Sequence, residues 1–454
     1  MRCSGIILAL AILSLLPALA QPATPASLAP TPPMGWNSWD AYGLTITEAQ
    51  FRANALVQAE KLKPFGWTYA IIDEGWFLKN PGDYNAPAKL HYQLDAFGRY
   101  IPVPSRFPSS ENNGSFQNLG AYVHSLGLKF GIHIVRGIPR ESVARNLPIE
   151  GGSYTAQDAA DTSDACSWDP TNWGVRDTPA GQAWYDALLR QYATWGVDYL
   201  KVDCISANPY KLSEIRMIHR AILKTGRPIL LSLSPGPTAI EHAAELSNLA
   251  QMWRISNDLW DNWSNPPAKT FPTTLIDKFA LDAAWQPFVK PGNWPDADML
   301  PLGHLGPVPG YGPPRDTRFT HDEQRTLLTL WSIARSPLIL GANLTALDAW
   351  TTALLTNPAV LAVNQRGHDQ HQAARDGNLV VWTTLGEPGE YYLALFNLGN
   401  SPMQLTKPYA AYGLPALNLA SRELWTDQRT PASKTFQVEL PPHGSVLLKL
   451  QAPK

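Results

Sequence analysis

The sequence predicts an α/β fold: a (β/α)8 TIM barrel followed by a C-terminal antiparallel β-sandwich domain. Three observations predict it. Eight short apolar runs alternate with helical patterns over residues 34–365. No glycine-rich phosphate turn follows the first run, which disfavours an open doubly wound sheet. From residue 366 to 454 the alternation gives way to short β-like runs separated by turns such as Glu387-Pro388-Gly389 and Pro441-Pro442-His443-Gly444.

The chain opens on Arg2, an apolar run from Ile6 to Leu16, and Ala18-Leu19-Ala20. This reads as a secretory signal over residues 1–20, cleaved after Ala20, and predicts a secreted or periplasmic protein. The run is shorter than a membrane span, which disfavours an uncleaved anchor. Residues 21–33, rich in Pro, Ala and Thr, read as a linker. Strands are expected at 34–38, 69–73, 129–135, 199–203, 229–233, 252–256, 296–300 and 338–340, with helices such as 47–62, 119–126, 180–195, 211–224 and 322–334 between them. Thr47 with Gln50 forms a capping-box pattern at the first helix. In the C-terminal domain, Val380–Thr384, Tyr391–Asn397, Val438–Leu440 and Ser445–Leu450 read as strands.

The fourth strand, Tyr199-Leu200-Lys201-Val202-Asp203, carries two charges in an otherwise apolar run. Strand side chains alternate, so Lys201 and Asp203 share a face. A buried charge is costly unless paired or put to chemical use. Either the two form a structural ion pair, or the cation keeps a carboxylate ionised as a nucleophile needs. Barrel chemistry sits at the carboxyl ends of the strands. Those ends supply Trp36 and Asn37; Asp73, Glu74 and Trp76; His133 and Arg136; Lys201 and Asp203; Ser232 and Ser234; Arg254, Ser256 and Asp258; Asp296 and Asp298. Acids, cations, hydroxyls and indoles together suit a polyol: charged groups bond hydroxyls, and Trp covers the apolar face of a sugar ring. The formal net charge of −2 gives no electrostatic footprint for nucleic acid or an anionic membrane. The mature chain keeps two cysteines, Cys166 and Cys204, which can form one bridge or stay as two buried thiols.

Several of these segments occur together in one family. Pro33-Met34-Gly35-Trp36-Asn37-Ser38-Trp39, Ile72-Asp73-Glu74-Gly75-Trp76, Gly127-Leu128-Lys129-Phe130-Gly131-Ile132, Tyr199-Leu200-Lys201-Val202-Asp203, Trp253-Arg254-Ile255-Ser256-Asn257-Asp258 and Trp294-Pro295-Asp296-Ala297-Asp298-Met299-Leu300 resemble, in order, motifs of glycoside hydrolase family 27, the α-galactosidases (melibiases) and α-N-acetylgalactosaminidases. The resemblance implies a retaining two-carboxylate mechanism with Asp203 as nucleophile and Asp258 as acid/base. It implies that Trp36, Asp73, Lys201 and Arg254 hold sugar hydroxyls, and that Cys166 and Cys204 form the family's bridge beside the nucleophile. It implies no cofactor or metal and a galactosyl-type carbohydrate substrate, with no nucleic acid or membrane partner; homo-oligomerisation is left open.

Three departures bear on the sugar. The family usually shows Asp-Asp, gripping O4 and O6 of galactose, where this chain has Asp73-Glu74. The longer Glu crowds the hydroxymethyl group, which makes activity on β-L-arabinopyranosides, galactose-configured sugars lacking C6, an alternative. Ser234 stands where α-galactosidases place a Glu for O2, which opens room at C2 as in the N-acetylgalactosaminidases. His133 stands where Tyr is common. The primary expectation is an exo-acting α-galactosidase. Rival readings are a metal-dependent barrel lyase or isomerase, since Lys, Asp and Glu at strand ends can also hold a divalent ion, and a non-catalytic sugar-binding protein.

Overall fold

The computed structural model describes residue 1 and residues 28–84, 86, 89–266, 268–306 and 312–453. The expected signal segment and its cleavage point lie outside the described residues. No described helix is long and apolar enough to cross a membrane.

Eight parallel strands form the first sheet: β1 Met34–Asn37, β2 Tyr69–Ile72, β3 Lys129–Val135, β4 Tyr199–Asp203, β5 Leu230–Leu233, β6 Met252–Arg254, β7 Trp294–Asp296 and β8 Leu338–Leu340. Their order is β7-β6-β5-β4-β3-β2-β1-β8, and the ends meet at a parallel bridge between Leu300 and Leu340, which closes the barrel. All but β3 and β4 are buried along their whole length, and those two break the pattern only at Lys129, Lys201 and Asp203. This is the near-continuous apolar run expected of strands covered on both sides. The register sets His133 beside Lys201 and Lys201 beside Ser232, so adjacent strands bring their polar side chains to one level.

Two expected strands end early. The sixth stops at Arg254, so Ser256 lies beyond it. The seventh runs over Trp294–Asp296 rather than 296–300. Asp298 has φ 98°, which an extended strand cannot contain, and leaves Leu300 to make only the closing bridge. The expected capping box is formed: Thr47 accepts from the Gln50 amide and Gln50 accepts from the Thr47 amide. Helix Leu275–Trp285, absent from the expected set, opens on a second such box, Thr274 with Asp277. At the amino ends of the strands, Ala29 packs with Tyr69, Tyr199, Leu230, Met252 and Trp294, and its carbonyl accepts the Trp294 indole N–H at 2.9 Å. The last residues of the stretch expected as linker thus plug the floor of the barrel.

A six-stranded antiparallel sheet follows, built from β9 His368–Asp376, β10 Leu379–Leu385, β11 Glu390–Asn397, β13 Leu419–Glu423, β14 Arg429–Ser433 and β16 Ser445–Gln451. A two-stranded sheet, β12 Met403–Pro408 with β15 Thr435–Leu440, faces it. Strands β9, β12, β13 and β14 escape sequence reading because most of their residues are partly or fully exposed, with no apolar alternation to betray them. The sandwich core holds Val381, Leu393, Leu395, Phe436 and Leu450. The opposite face of β10 and β11, with Val380, Trp382, Ala394 and Phe396, belongs to the barrel's own core. Phe396 meets Phe279 edge-on at 5.0 Å, so the two domains share one apolar interface.

Candidate active site

The motif after β2 turns at Gly75, whose φ of 91° and approach to the Leu44 carbonyl exclude a side chain. That turn aims Asp73 and Glu74 into the barrel mouth. Asp73 is buried and accepts from Lys201 Nζ at 2.8 Å and from Asn37 Nδ2 at 2.6 Å. Burial alone would raise the Asp73 carboxyl, but Lys201 and His133 hold it well below the usual carboxylate range. The same pairing lifts Lys201 above its ordinary value against its own burial.

Lys201 therefore pairs with Asp73 across the barrel rather than directly with Asp203. Asp203 accepts from His133 Nε2 at 3.2 Å and from the Cys204 backbone N–H at 2.7 Å. A carboxylate accepts, so Nε2 carries the proton, while His133 Nδ1 is buried with no partner. Burial raises the Asp203 carboxyl, yet the His133 hydrogen bond and charge, Lys201 and the Cys204 amide outweigh it and lower it overall. Cys204 is bonded to Cys166, which clips the chain after β4 to the excursion between β3 and β4. That excursion contains a three-stranded antiparallel sheet of Ile138–Pro139, Asn172–Val175 and Ala160–Ala165.

Further round the same rim, Arg254 is buried at the end of β6. Its Nη2 lies 2.7 Å from Asp298 and 3.2 Å from Asp258. The Asp258 side chain is 41% exposed, the access to water that a proton-exchanging group requires. Asp298 also accepts from the Leu259 amide at 2.5 Å, which ties the loop bearing Asp258 to the end of β7. Burial, Asp258 and Asp296 push Asp298 up to about 6 despite Arg254. Ser234 is buried just past β5 and lines a cavity of about 10 Å³ with Asn37, Lys201, Arg254, Asp296 and Asp298. The barrel mouth thus gathers Asp73, Glu74, His133, Lys201, Asp203, Ser234, Arg254, Asp258 and Asp298.

Three expected members stand elsewhere. Trp76 is fully buried among Phe77, Phe116 and Trp195, and its indole N–H is donated to the His133 carbonyl at 2.8 Å. Trp36 is fully buried against Phe51 at 5.6 Å, and its indole N–H is donated to the Ala342 carbonyl at 2.7 Å. Its only polar hydrogen is therefore committed to the protein. Trp39, three residues on, keeps a partly exposed ring. Arg136, expected at the third strand's end, bonds the Cys204 carbonyl at 2.6 Å together with Asp164 and Glu214. It braces the bridge from behind instead of facing the mouth.

Other groups stand outside the sequence expectation. Asp40 is buried with Oδ2 unpartnered, against Gly341, where a Cβ would come within 1.9 Å of that oxygen. Burial first, then Asp298, raises Asp40 well above the usual range. Lys278, buried on helix Leu275–Trp285, donates to the Ser256 hydroxyl under the Asp258 loop, and burial lowers it to about 8. Asp261 binds Arg315 at 2.6 Å and Arg318 at 2.8 Å and anchors the same loop. Tyr84 reaches over the mouth to Glu74 at 3.1 Å and Asp169 at 2.9 Å. Only Lys278, a charge on an otherwise core-facing helix side, could have been noticed in the sequence. Among the described residues, no group of three or more His, Cys, Asp or Glu is arranged to hold a metal ion.

A closed parallel barrel with paired acids, a lysine, an arginine and hydroxyls at its carboxyl mouth, backed by a β-sandwich, defines a glycoside hydrolase. Residues 166–366 match the family model described as alpha galactosidase A, and residues 376–450 that of the alpha galactosidase C-terminal beta sandwich domain. The chain is 42% identical to a β-L-arabinopyranosidase of glycoside hydrolase family 27 from Geobacillus stearothermophilus, with a TM-score of 0.87, covering 94% of this chain and 98% of that one. It is 26% identical to alpha-galactosidase I from Mortierella vinacea, with a TM-score of 0.72 and 94% and 98% covered. Alpha-galactosidase 2 of Arabidopsis thaliana is 27% identical over 404 residues, 88% of this chain and 83% of the relative. The chain belongs to glycoside hydrolase family 27.

Proposed function

We propose that the protein is a retaining exo-glycosidase that releases terminal β-L-arabinopyranosyl units. The carrying observation is Glu74, buried beside Asp73 and pinned by Tyr84 in the position where the family's second Asp grips O6 of galactose. An extra methylene fixed there takes the space of the hydroxymethyl arm, and a pyranose without C6 fits. The Geobacillus β-L-arabinopyranosidase, more similar in sequence than the α-galactosidases above, supports the same reading; a variant of it is known in complex with arabinose.

Asp203, held ionised by His133, Lys201 and the Cys204 amide, attacks the anomeric carbon. Asp258 protonates the departing oxygen, then takes a proton from the water that resolves the glycosyl-enzyme. Asp258 bonds Arg254 at 3.2 Å, which holds it at the same barrel mouth as Asp203, and a retaining pair requires a spacing of about 5–5.5 Å. Asp73, Lys201 and Arg254 bind ring hydroxyls, His133 and Asp298 orient the acids, Ser234 leaves room at C2, and Trp39 rather than Trp36 covers the ring face.

An α-galactosidase is the second reading, favoured by the family models and by the resemblance of the motifs carrying Asp73, Lys201 and Arg254 to those of α-galactosidases. Rates on aryl β-L-arabinopyranoside, α-D-galactoside and N-acetyl-α-D-galactosaminide decide between them. A preference for the galactoside overturns the first reading. The first-formed sugar, followed by proton NMR, keeps the anomeric configuration of the substrate if the mechanism is retaining. We infer export from the N-terminal 20 residues; a mature amino terminus at Gln21 is expected, and an intact Met1 on exported protein refutes cleavage.

A further inference from the structure

Glu74 and Tyr84 from the connection after β2 and Asp169 from the excursion between β3 and β4 meet in one chain of hydrogen bonds. The Tyr84 hydroxyl lies 3.1 Å from Glu74 Oε1 and 2.9 Å from Asp169 Oδ2. A phenol carries one proton and can donate to only one acid. Were both carboxyls ionised, one contact would set lone pair against lone pair, so one acid must hold a second proton. Asp169 is the better seat for the charge: its Oδ1 accepts from the Thr171 amide at 2.8 Å and from the Thr171 hydroxyl. The Glu74 carboxyl has no donor but Tyr84 among the described residues. It faces three acids, Asp169 in the excursion, Asp203 at the end of β4 and Asp73 after β2. The donors on that side are engaged, Lys201 with Asp73 and His133 with Asp203. The proton order is therefore Glu74 to Tyr84 oxygen, and Tyr84 to Asp169.

We propose that Tyr84 and Asp169 are positioning residues that hold Glu74 as a neutral acid against the C5 edge of the bound sugar and thereby set the preference for a pyranose lacking the hydroxymethyl arm. This rests on the reading of Glu74 given above. A neutral carboxyl beside a methylene has no charge to desolvate. It also adds no negative charge next to Asp203, whose ionised form must attack. Burial, and after it the Asp169 carboxylate, raise Glu74 well above the ordinary range, consistent with the proton order.

The test uses the full enzyme with Glu74→Asp, Tyr84→Phe and Asp169→Asn. Values of kcat and KM are measured on aryl β-L-arabinopyranoside and aryl α-D-galactoside over acid to alkaline pH. In Tyr84→Phe the ratio of kcat/KM, arabinopyranoside over galactoside, falls roughly tenfold, mainly through KM. In Asp169→Asn the new amide can donate to the Tyr84 oxygen, Tyr84 then donates to Glu74, and Glu74 no longer needs its proton. The alkaline limb for the arabinopyranoside then moves to lower pH. A merely structural loss lowers both substrates alike and leaves the limb in place; that result in both variants overturns the proposal. If wild type prefers the galactoside, or Glu74→Asp leaves the ratio unchanged, the reading of Glu74 fails. If Glu74→Asp shifts the ratio while the other two do not, the proposal alone fails. Should Tyr84→Phe and Asp169→Asn misfold, the infrared difference spectrum of wild type minus Glu74→Gln decides: a protonated-carboxyl C=O band at neutral pH is expected in the difference, and a difference spectrum without it overturns the proposal.

Discussion

His133 Nε2 lies 3.2 Å from Asp203 Oδ2, and among the described residues no other side chain bonds that carboxylate. A buried imidazole therefore takes the place where the family commonly has a tyrosine, and its N–H serves the acid proposed as nucleophile. His133→Phe removes that donor and leaves burial less opposed, so the Asp203 carboxyl rises. The acid limb of kcat/KM should move to higher pH. The linkage has the same sign: a carboxyl depressed on folding contributes stability above the ordinary range near pH 4, lost as pH falls through its folded value. The variant should thus lose stability at neutral pH and show a shallower acid decline, read by urea titrations at two pH values.

Asp258→Asn should lower turnover by roughly 10²–10⁴ on substrates with poor leaving groups and far less on dinitrophenyl glycosides, which depart without a proton. Asp203→Asn should lower both by several orders of magnitude. Equal losses on both substrate types in Asp258→Asn would remove it from the acid role.

Lys201→Met strands Asp73 as a buried anion. Both side chains are largely buried, at 13% and 2% exposure. Loss of one partner of such a pair costs about 3–5 kcal/mol. Denaturant unfolding should show it, and the double variant with Asp73→Asn should recover part of the loss. No recovery would mean that the pair is not the source.

The Cys166–Cys204 bridge spans 38 residues and ends on the amide that bonds Asp203. Chain entropy makes it worth about 4 kcal/mol. Replacing both cysteines with Ala should lower the unfolding midpoint and also kcat, because Cys204, in a left-handed conformation at φ 60°, is no longer held in place. A normal kcat with a lowered midpoint would show the bridge to be structural only.

The eight-strand rhythm, the polar groups ending each strand and the capping box at Thr47 are local properties, carried by periodicity and by which face a side chain takes on its own element. They are therefore legible in the chain, and so is the gathering of Asp73, Lys201, Asp203, Arg254 and Asp258, because parallel strands in sequential register must bring their carboxyl ends to one rim. What pairs with what across that rim is not local. Lys201 chooses Asp73, 128 positions away, over Asp203 on its own face. Tyr84 joins Glu74 to Asp169, 85 positions further along. Trp36 turns into the core while Trp39 stays partly exposed, and Arg136 turns behind the bridge. Each depends on loops closing over a finished barrel, where burial forces every charge and proton to find a partner, and only the tertiary structure decides which.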